Sequence, residues 1–170
     1  YMAETYLLAD GCSDVDVSEM IRNKAEAYKQ LQVGSIAPDL TLKNTADQDV
    51  KISSEVARSN YTILFFWYAD CSYCHGQIPD LLRIYNTYKS KGLEVIGISI
   101  DTEKGKWISG IKAKNMPWLH LSDLKGWKST AIQTYKIHKT PGYYLLDKNM
   151  KIVSKPTHVR AIESQLKHLF

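Results

Sequence analysis

The sequence lacks the features that mark several large classes of protein. Its longest apolar run, Ile63–Ala69, is far too short to span a lipid bilayer. The 22 basic and 18 acidic residues are mixed along the chain without a lysine- or arginine-rich block, so nucleic acid is not expected as a partner. A basic segment followed by an apolar one is missing at the start, so no signal peptide is visible in this chain.

Cysteine is scarce as well, with three residues in the whole chain. A small fold stapled by disulfides would need more cysteines, in an even number. Cys71 and Cys74 are separated by only two residues, whereas Cys12 lies far from both. This spacing predicts one chemically active pair, Cys71 and Cys74, and a free or incidental thiol at Cys12.

The first 32 residues differ from the rest of the chain in the spacing of their apolar residues. Apolar residues recur there at helical spacing, which predicts a helical arm. They are Val17, Met20, Ile21, Tyr28 and Leu31. Its main helix is expected to be capped at Asp16 or Ser18, with another helical piece at Tyr1–Leu8. We expect residues 1–32 to be the tail of a preceding region and residues 33–170 to form the main domain.

The first half of the main domain is predicted to contain a β-hairpin and a βαβ unit. Polar and apolar residues alternate in the hairpin strands, whereas the two later strands are almost continuously apolar, as is typical of strands buried on both faces. The hairpin strands are expected at Asp39–Lys43 and Asp49–Ser53, and the buried strands at Tyr61–Tyr68 and Leu93–Ile100. The amphipathic helix between the buried strands ends at Lys91-Gly92 and makes them parallel, with a right-handed crossover.

The second half is predicted to add two helices, a hairpin and a last helix. The helices are expected around Trp107, from Trp127 to Tyr135 and over Val159–Leu169, and the hairpin strands at Gly142–Asp147 and Lys151–Ser154. This order of elements predicts an α/β sandwich.

The Cys71-Ser-Tyr-Cys74 pair is placed where a buried strand turns into a helix. There, free backbone N–H groups and the helix dipole stabilise a thiolate on the first cysteine. The second cysteine, one turn on, can attack a mixed disulfide formed by the first. We therefore expect Cys71 to be the exposed nucleophile and Cys74 the more buried resolving thiol.

A second element is Thr140-Pro141, an X-Pro pair at the start of a strand that could form a cis peptide in a tight turn. With these motifs the chain resembles the thioredoxin superfamily and, within it, the TlpA/ResA-like branch of AhpC/TSA-related bacterial thiol–disulfide oxidoreductases. The resemblance covers residues 33–170. Its matching motifs are Ala37-Pro38-Asp39-Leu40, Phe66-Trp67-Tyr68-Ala69, Cys71-Ser-Tyr-Cys74, Pro79, Thr140-Pro141 and Leu145–Asn149.

The resemblance implies a thioredoxin-like fold, a central mixed β-sheet flanked by helices, here with an N-terminal hairpin and the helical arm in addition. It also implies a cis-Pro141 packed against the two sulfurs, a Thr140-Pro141 loop that offers backbone groups to a substrate chain, and Trp67 beneath the active-site turn. No cofactor and no metal is expected. The implied partners are protein thiol or disulfide substrates and an upstream thiol electron donor, in the periplasm or cell envelope.

Three positions depart from the pattern of such relatives. Many carry Trp before the first cysteine, where this chain has Asp70, whose carboxylate should raise the pKa of Cys71 although Asp70 could also cap the helix. Gln77 stands where relatives often have Glu, and an amide cannot shuttle a proton. The dipeptide Ser72-Tyr73, followed by His75, is similar to the pair of periplasmic disulfide isomerases. Because Asp70 disfavours the thiolate, the sequence favours a reductase.

Other functions remain open from the sequence. Oxidases and isomerases share this machinery, and peroxiredoxins share the fold, although their Thr and Arg around a single cysteine are not matched here. Non-catalytic thioredoxin-like binding modules commonly lose a cysteine or the proline. Cys71-Ser-Tyr-Cys74-His75 also fits a haem-attachment pattern, but no axial ligand or open crevice is evident. Zinc would lack a fourth ligand, and His75 itself is interpreted as a solvated residue of the first helical turn.

Overall fold

The computed structural model of the protein describes residues 14–170. The predicted helical piece at Tyr1–Leu8 and the thiol of Cys12 lie outside these residues. None of the helices in the described range is both long and apolar enough to cross a membrane.

The N-terminal arm forms helix α1 (Asp14–Lys29). Asp16 and Ser18 lie inside this helix, so the predicted N-cap is wrong, because the helical backbone already extends before Asp16. Met20 and Ile21 are 67% and 63% exposed, whereas Leu31, just after the helix, is buried. The arm is therefore packed on the domain at its end and exposed along much of its length.

The centre of the fold is a mixed sheet of seven strands in the order β2-β1-β5-β4-β3-β6-β7. The strands are β1 (Thr41–Asn44), β2 (Asp49–Lys51), β3 (Tyr61–Trp67), β4 (Leu93–Ser99), β5 (Leu119–Ser122), β6 (Gly142–Asp147) and β7 (Ile152–Ser154). β3 lies between β4, to which it is parallel, and β6, to which it is antiparallel. The predicted parallel βαβ unit and both predicted hairpins are confirmed.

Helices cover both faces of the sheet. After α1 they are α2 (Ile52–Val56), α3 (Ser72–Tyr88), α4 (Lys104–Ala113), α5 (Thr130–Tyr135) and α6 (Val159–Leu169), with 3-10 turns at Lys89–Lys91 and Gly126–Lys128. Side chains of β3 alternate between two apolar clusters, one under α3, α4 and α6 and the other under α2 and α5. Burial on both faces explains why the sequence of β3 is almost continuously apolar.

Two elements were not predicted. Ile52, expected in a strand, begins α2 instead, because the Asp39 carboxylate accepts the backbone N–H of Ser53 at 3.0 Å and also its hydroxyl, at 2.5 Å. β5 was not predicted, since its four residues are too few to show a clear alternation. In the fold β5 pairs with β4 and with β1, and so joins the first hairpin to the main sheet.

Candidate active site

The cysteine pair lies where β3 gives way to α3. Cys71 and Cys74 form a disulfide, with Cα atoms 5.2 Å apart. Cys71 is the N-cap residue of α3, with an extended backbone, and its Sγ accepts the backbone N–H of Cys74 at 3.1 Å. The sulfur of Cys71 therefore takes the place of the side-chain oxygen that usually satisfies a free N–H at a helix start.

Cys71 was predicted to be exposed, and this prediction is wrong. Cys71 is only 2% exposed, and Cys74 is fully buried. Both cysteines belong to the apolar cluster that includes Trp67 and Trp107. The cover over Cys71 comes from the loop before β6, whose Thr140 Oγ1 lies 3.3 Å from the Cys71 Sγ. The Cys71 sulfur is therefore covered by this loop and has little contact with solvent.

The position of that loop follows from strand pairing. Gly142 at the start of β6 is paired with Phe66 near the end of β3, so Thr140 and Pro141 continue past the end of β3 toward the cysteines. The Thr140–Pro141 peptide bond is cis, and Pro141 is buried. The structure thus brings together the two motifs that lie some seventy residues apart in the sequence.

The turn before Cys71 is held by hydrogen bonds to both the backbone N–H and the carbonyl of Ala69. The backbone N–H of Ala69 donates to both carboxylate oxygens of Asp101, at 3.1 Å each, and Asp101 also accepts the Ser99 hydroxyl at 2.7 Å. The ring Nε2 of His75 donates to the Ala69 carbonyl at 2.6 Å. His75 is thus half-buried and bonded rather than solvated, which corrects the interpretation from the sequence.

Asp101 was missed by the sequence analysis, although a signal for it was present. It follows directly after the buried β4 segment, and the carboxyl ends of the parallel strands β3 and β4 meet at the edge of the sheet that carries the cysteines. A buried carboxylate at that edge can act on the turn that leaves the neighbouring strand.

Asp70 lies on the outer side of the same turn. Its side chain is 76% exposed, and its carboxylate is 3.7 Å from the Lys106 ammonium. The possible N-cap role of Asp70 is wrong, because Cys71 itself caps α3. Solvent and Lys106 both weaken the field of this carboxylate at the sulfur, so its influence on the thiolate is smaller than the sequence suggested.

Gln77, on α3, joins the cysteine helix to two other elements. Its Oε1 accepts the Tyr143 hydroxyl at 3.1 Å and the backbone N–H of Val159 at 3.0 Å. Val159 is the first residue of α6, so Gln77 supplies a cap to that helix from outside. Burial raises the pKa of Tyr143 well above its usual range, so its hydroxyl remains a donor.

Trp67 and Tyr73 have opposite environments. Trp67 is fully buried in the cluster of the two cysteines, stacked on Phe65 and with its ring edge-on to His120. Burial lowers the pKa of His120 to about 4, so that imidazole is neutral at pH 7. Tyr73, between the two cysteines, is 80% exposed.

The chain is similar to known proteins along most of its length. The model of the AhpC/TSA family matches residues 33–155. The thiol-disulfide oxidoreductase ResA of Bacillus cereus is 26% identical over 127 residues, which cover 75% of this chain and 70% of the relative. The protein of the same name from Geobacillus kaustophilus is 25% identical over 137 residues, covering 81% and 76%.

Solved structures show the same architecture. The thioredoxin domain of a thiol-disulfide oxidoreductase from Bacteroides vulgatus superimposes with a TM-score of 0.73 and 27% identity, over 82% of this chain and 98% of that one. A thiol-disulfide oxidoreductase from Bacteroides fragilis gives 0.74 and 28%, over 80% and 100%. The predicted thioredoxin-like fold is thereby confirmed.

Proposed function

This chain belongs to the AhpC/TSA family and is a thiol–disulfide oxidoreductase, and from that premise we propose that it reduces disulfides of protein substrates, with Cys71 as attacking and Cys74 as resolving thiol. The observation that carries the proposal is the position of the Cys71 sulfur. It lies at the start of α3, accepts the Cys74 N–H, and faces the Thr140 hydroxyl.

The proposed reaction has two exchange steps. The Cys71 thiolate attacks one sulfur of the substrate disulfide, that disulfide breaks, and the leaving thiolate takes up a proton. The Cys74 thiolate then attacks the Cys71 sulfur of the mixed disulfide and releases the second substrate thiol. Two electrons pass to the substrate and the Cys71–Cys74 disulfide remains, which an upstream dithiol must reduce again.

Burial of the pair supports the reducing direction. Both sulfurs lie in an apolar cluster, and an apolar environment raises the pKa of a thiol by disfavouring its charged form. Burial thus opposes the stabilisation that the start of α3 and the Cys74 N–H give to the Cys71 thiolate. A less stabilised thiolate makes the dithiol give up electrons more readily, so burial favours the disulfide form. The exposed Asp70 adds to this effect only weakly, because Lys106 lies beside it.

The surroundings of the pair support a polypeptide as substrate. The buried Pro141 and the Thr140 next to it shape the approach, Tyr73 offers an exposed aromatic ring, and Trp67 fills the space beneath the turn. Gln77, on α3, and Asp70, in the turn before Cys71, are further residues that shape the surroundings of the pair. The resemblance to envelope oxidoreductases supports a location in the periplasm or cell envelope.

The reduction potential of the pair tests the direction. We expect a reduction potential of about −270 mV or lower. It is measured by equilibration in dithiothreitol buffers, alkylation of the free thiols and mass spectrometry. A value between about −180 and −120 mV would instead indicate an isomerase or oxidase. Cys74→Ser should trap a mixed disulfide at Cys71, whereas the matched Cys71→Ser should trap none. Rapid consumption of peroxide by the reduced protein would favour a peroxidase.

A further inference from the structure

A groove of about 410 Å³ borders the active-site loop on the side of α1. Pro141 and Gly142 form one border and Tyr28 and Leu31 another, with Tyr144 also in the lining. The Tyr28 hydroxyl is 3.5 Å from the His138 ring Nε2, which joins the arm to the loop segment. The groove is thus built from parts of the chain that are remote in sequence, and much of its lining is apolar.

Three lysines give the groove a positive charge. Lys136, Lys139 and Lys155 line it, and the described residues that line it include no aspartate or glutamate. None of the three makes an ion pair within residues 14–170, and the Lys155 ammonium instead lies 5.7 Å from the centre of the Tyr144 ring.

Some basic residues outside the groove are paired instead. Lys43 and Arg83 each lie within 3 Å of a carboxylate. The charge of the groove is therefore available to a partner.

The groove lies next to the loop that contacts the reaction centre. Thr140, whose Oγ1 is 3.3 Å from the Cys71 Sγ, is the chain neighbour of both Lys139 and Pro141. Consecutive Cα atoms are about 3.8 Å apart, so a substrate chain bonded at Cys71 reaches Lys139 within about two residues. Residues that flank the substrate cysteine on this side are therefore within reach of the groove.

We propose that the groove binds an acidic segment of the protein partner, one that carries an apolar side chain between carboxylates next to its reactive cysteine. This inference rests on the proposed function, since it names the class of substrate for the same site. The carboxylates face Lys136, Lys139 and Lys155, and the apolar side chain packs against Tyr28 and Ile137, which line the groove and are partly exposed. Complementary charge speeds the encounter of the two proteins and selects among partners.

The test uses three peptides of equal length with one cysteine activated as a thiopyridyl disulfide. The cysteine is followed by Asp-Leu-Asp, Asn-Leu-Asn or Lys-Leu-Lys. Release of thiopyridone reports attack by the reduced full chain. At low ionic strength we expect the acidic peptide to react about tenfold faster than the basic one, with the ratio falling toward one in high salt.

Variants locate the effect in the groove. The triple change Lys136→Gln, Lys139→Gln and Lys155→Gln should bring the ratio of acidic to basic rates near one, with circular dichroism as the check on folding. The matched control is Lys24→Gln, Lys112→Gln and Lys148→Gln, which alters net charge equally at exposed lysines outside the groove. The control should keep the full ratio.

The outcomes separate this inference from the proposed function. If the wild-type chain exchanges with all three peptides at equal rates, the inference is overturned and the reductase proposal stands. A ratio that survives the groove variant also overturns it. If neither the peptides nor neutral dithiothreitol exchange with the pair, the proposed function itself fails. If sedimentation shows a dimer that the groove variant disrupts, and the three peptides react at equal rates, the inference is overturned and the groove binds a second copy of the chain.

Discussion

Asp101 accepts the backbone N–H of Ala69 with both of its carboxylate oxygens, at 3.1 Å each, and so fastens the turn before Cys71 to the end of β4. Asp101 is buried and is itself held by the Ser99 hydroxyl. Since His75 binds the carbonyl of the same Ala69, the peptide groups on both sides of this residue are fixed. The approach of Cys71 to a substrate sulfur therefore depends on a residue that does not touch either sulfur.

Replacing Asp101 tests this positioning role. Asp101→Ala leaves the Ala69 N–H and the Ser99 hydroxyl without their acceptor, and we expect a loss of about 1–3 kcal/mol in the free energy of unfolding. Asp101→Asn keeps one acceptor oxygen for Ala69 and should lose less. Urea denaturation measures stability, and the dependence of the exchange rate on peptide concentration separates kcat from KM. Equal kcat values in Asp101→Ala and the wild type would refute a role in placing Cys71.

Gln77 gives a second prediction, which tests its side chain as a hydrogen-bond acceptor. Gln77→Ala removes the acceptor of the Tyr143 hydroxyl and of the Val159 N–H, so we expect it to destabilise the protein by about 1–3 kcal/mol. Gln77→Glu retains an acceptor at the same place and should remain close to the wild type in urea denaturation. If Gln77→Glu is as unstable as Gln77→Ala, the hydrogen bonds of Oε1 are not what this position contributes.

Asp70 gives a third prediction, and here the structure changes the expectation from the sequence. A carboxylate next to Cys71 was expected to raise the thiol pKa, yet this one is mostly exposed and lies beside Lys106. Asp70→Asn should therefore alter the rate of Cys71 alkylation near neutral pH by less than about twofold at physiological salt. Lys106→Gln, which uncovers the carboxylate, should slow alkylation slightly at low salt.

A large acceleration in Asp70→Asn would contradict this account. It would mean that Asp70, and not the burial of the two sulfurs, mainly determines how readily the Cys71 thiolate forms. Measuring the two variants at low and at high salt distinguishes these cases, because burial does not respond to added salt whereas an exposed charge does.

The sequence was sufficient for the parts of the fold that rest on long local patterns. β3 and β4 are continuously apolar and α3 is amphipathic over several turns, so the βαβ unit and the place of the cysteine pair were predictable. β5 was not, because four residues carry little periodicity and its pairing with β1 and β4 is decided by tertiary contacts. α2 was missed since its first turn is bonded by Asp39, from 14 positions earlier.

The candidate site divides in the same way. Cys71, Cys74 and Thr140-Pro141 are motifs that can be read directly from the chain. The contact of Ala69 with Asp101 spans 32 positions, and the two partners of Gln77 lie 66 and 82 positions away. Such contacts depend on how strands and helices are stacked, and spacing within the sequence does not specify them. The burial of Cys71 belongs to this group, because its cover comes from a distant loop.

The last prediction concerns His120 and acid stability. His120 lies in β5 against Trp67 and Trp118, with its Nε2 3.3 Å from the Met116 carbonyl, whereas its Nδ1 has no hydrogen-bond partner among residues 14–170. Protonation would place a charge on a buried nitrogen without an acceptor. Burial accordingly lowers the pKa of His120 to about 4, from an ordinary value of 6.5.

The sign of the pH effect follows from these two values. Between pH 6.5 and about 4 the unfolded chain binds a proton at this histidine that the folded chain does not bind. The free energy of unfolding should therefore fall as the pH is lowered through this window, by up to about 3 kcal/mol. Urea denaturation at pH 7 and pH 4.5 measures the loss, and His120→Leu, which cannot titrate, should show a smaller one. An NMR titration that gives His120 a pKa near 6.5 in the folded protein would refute the argument, whatever the stability of the variant.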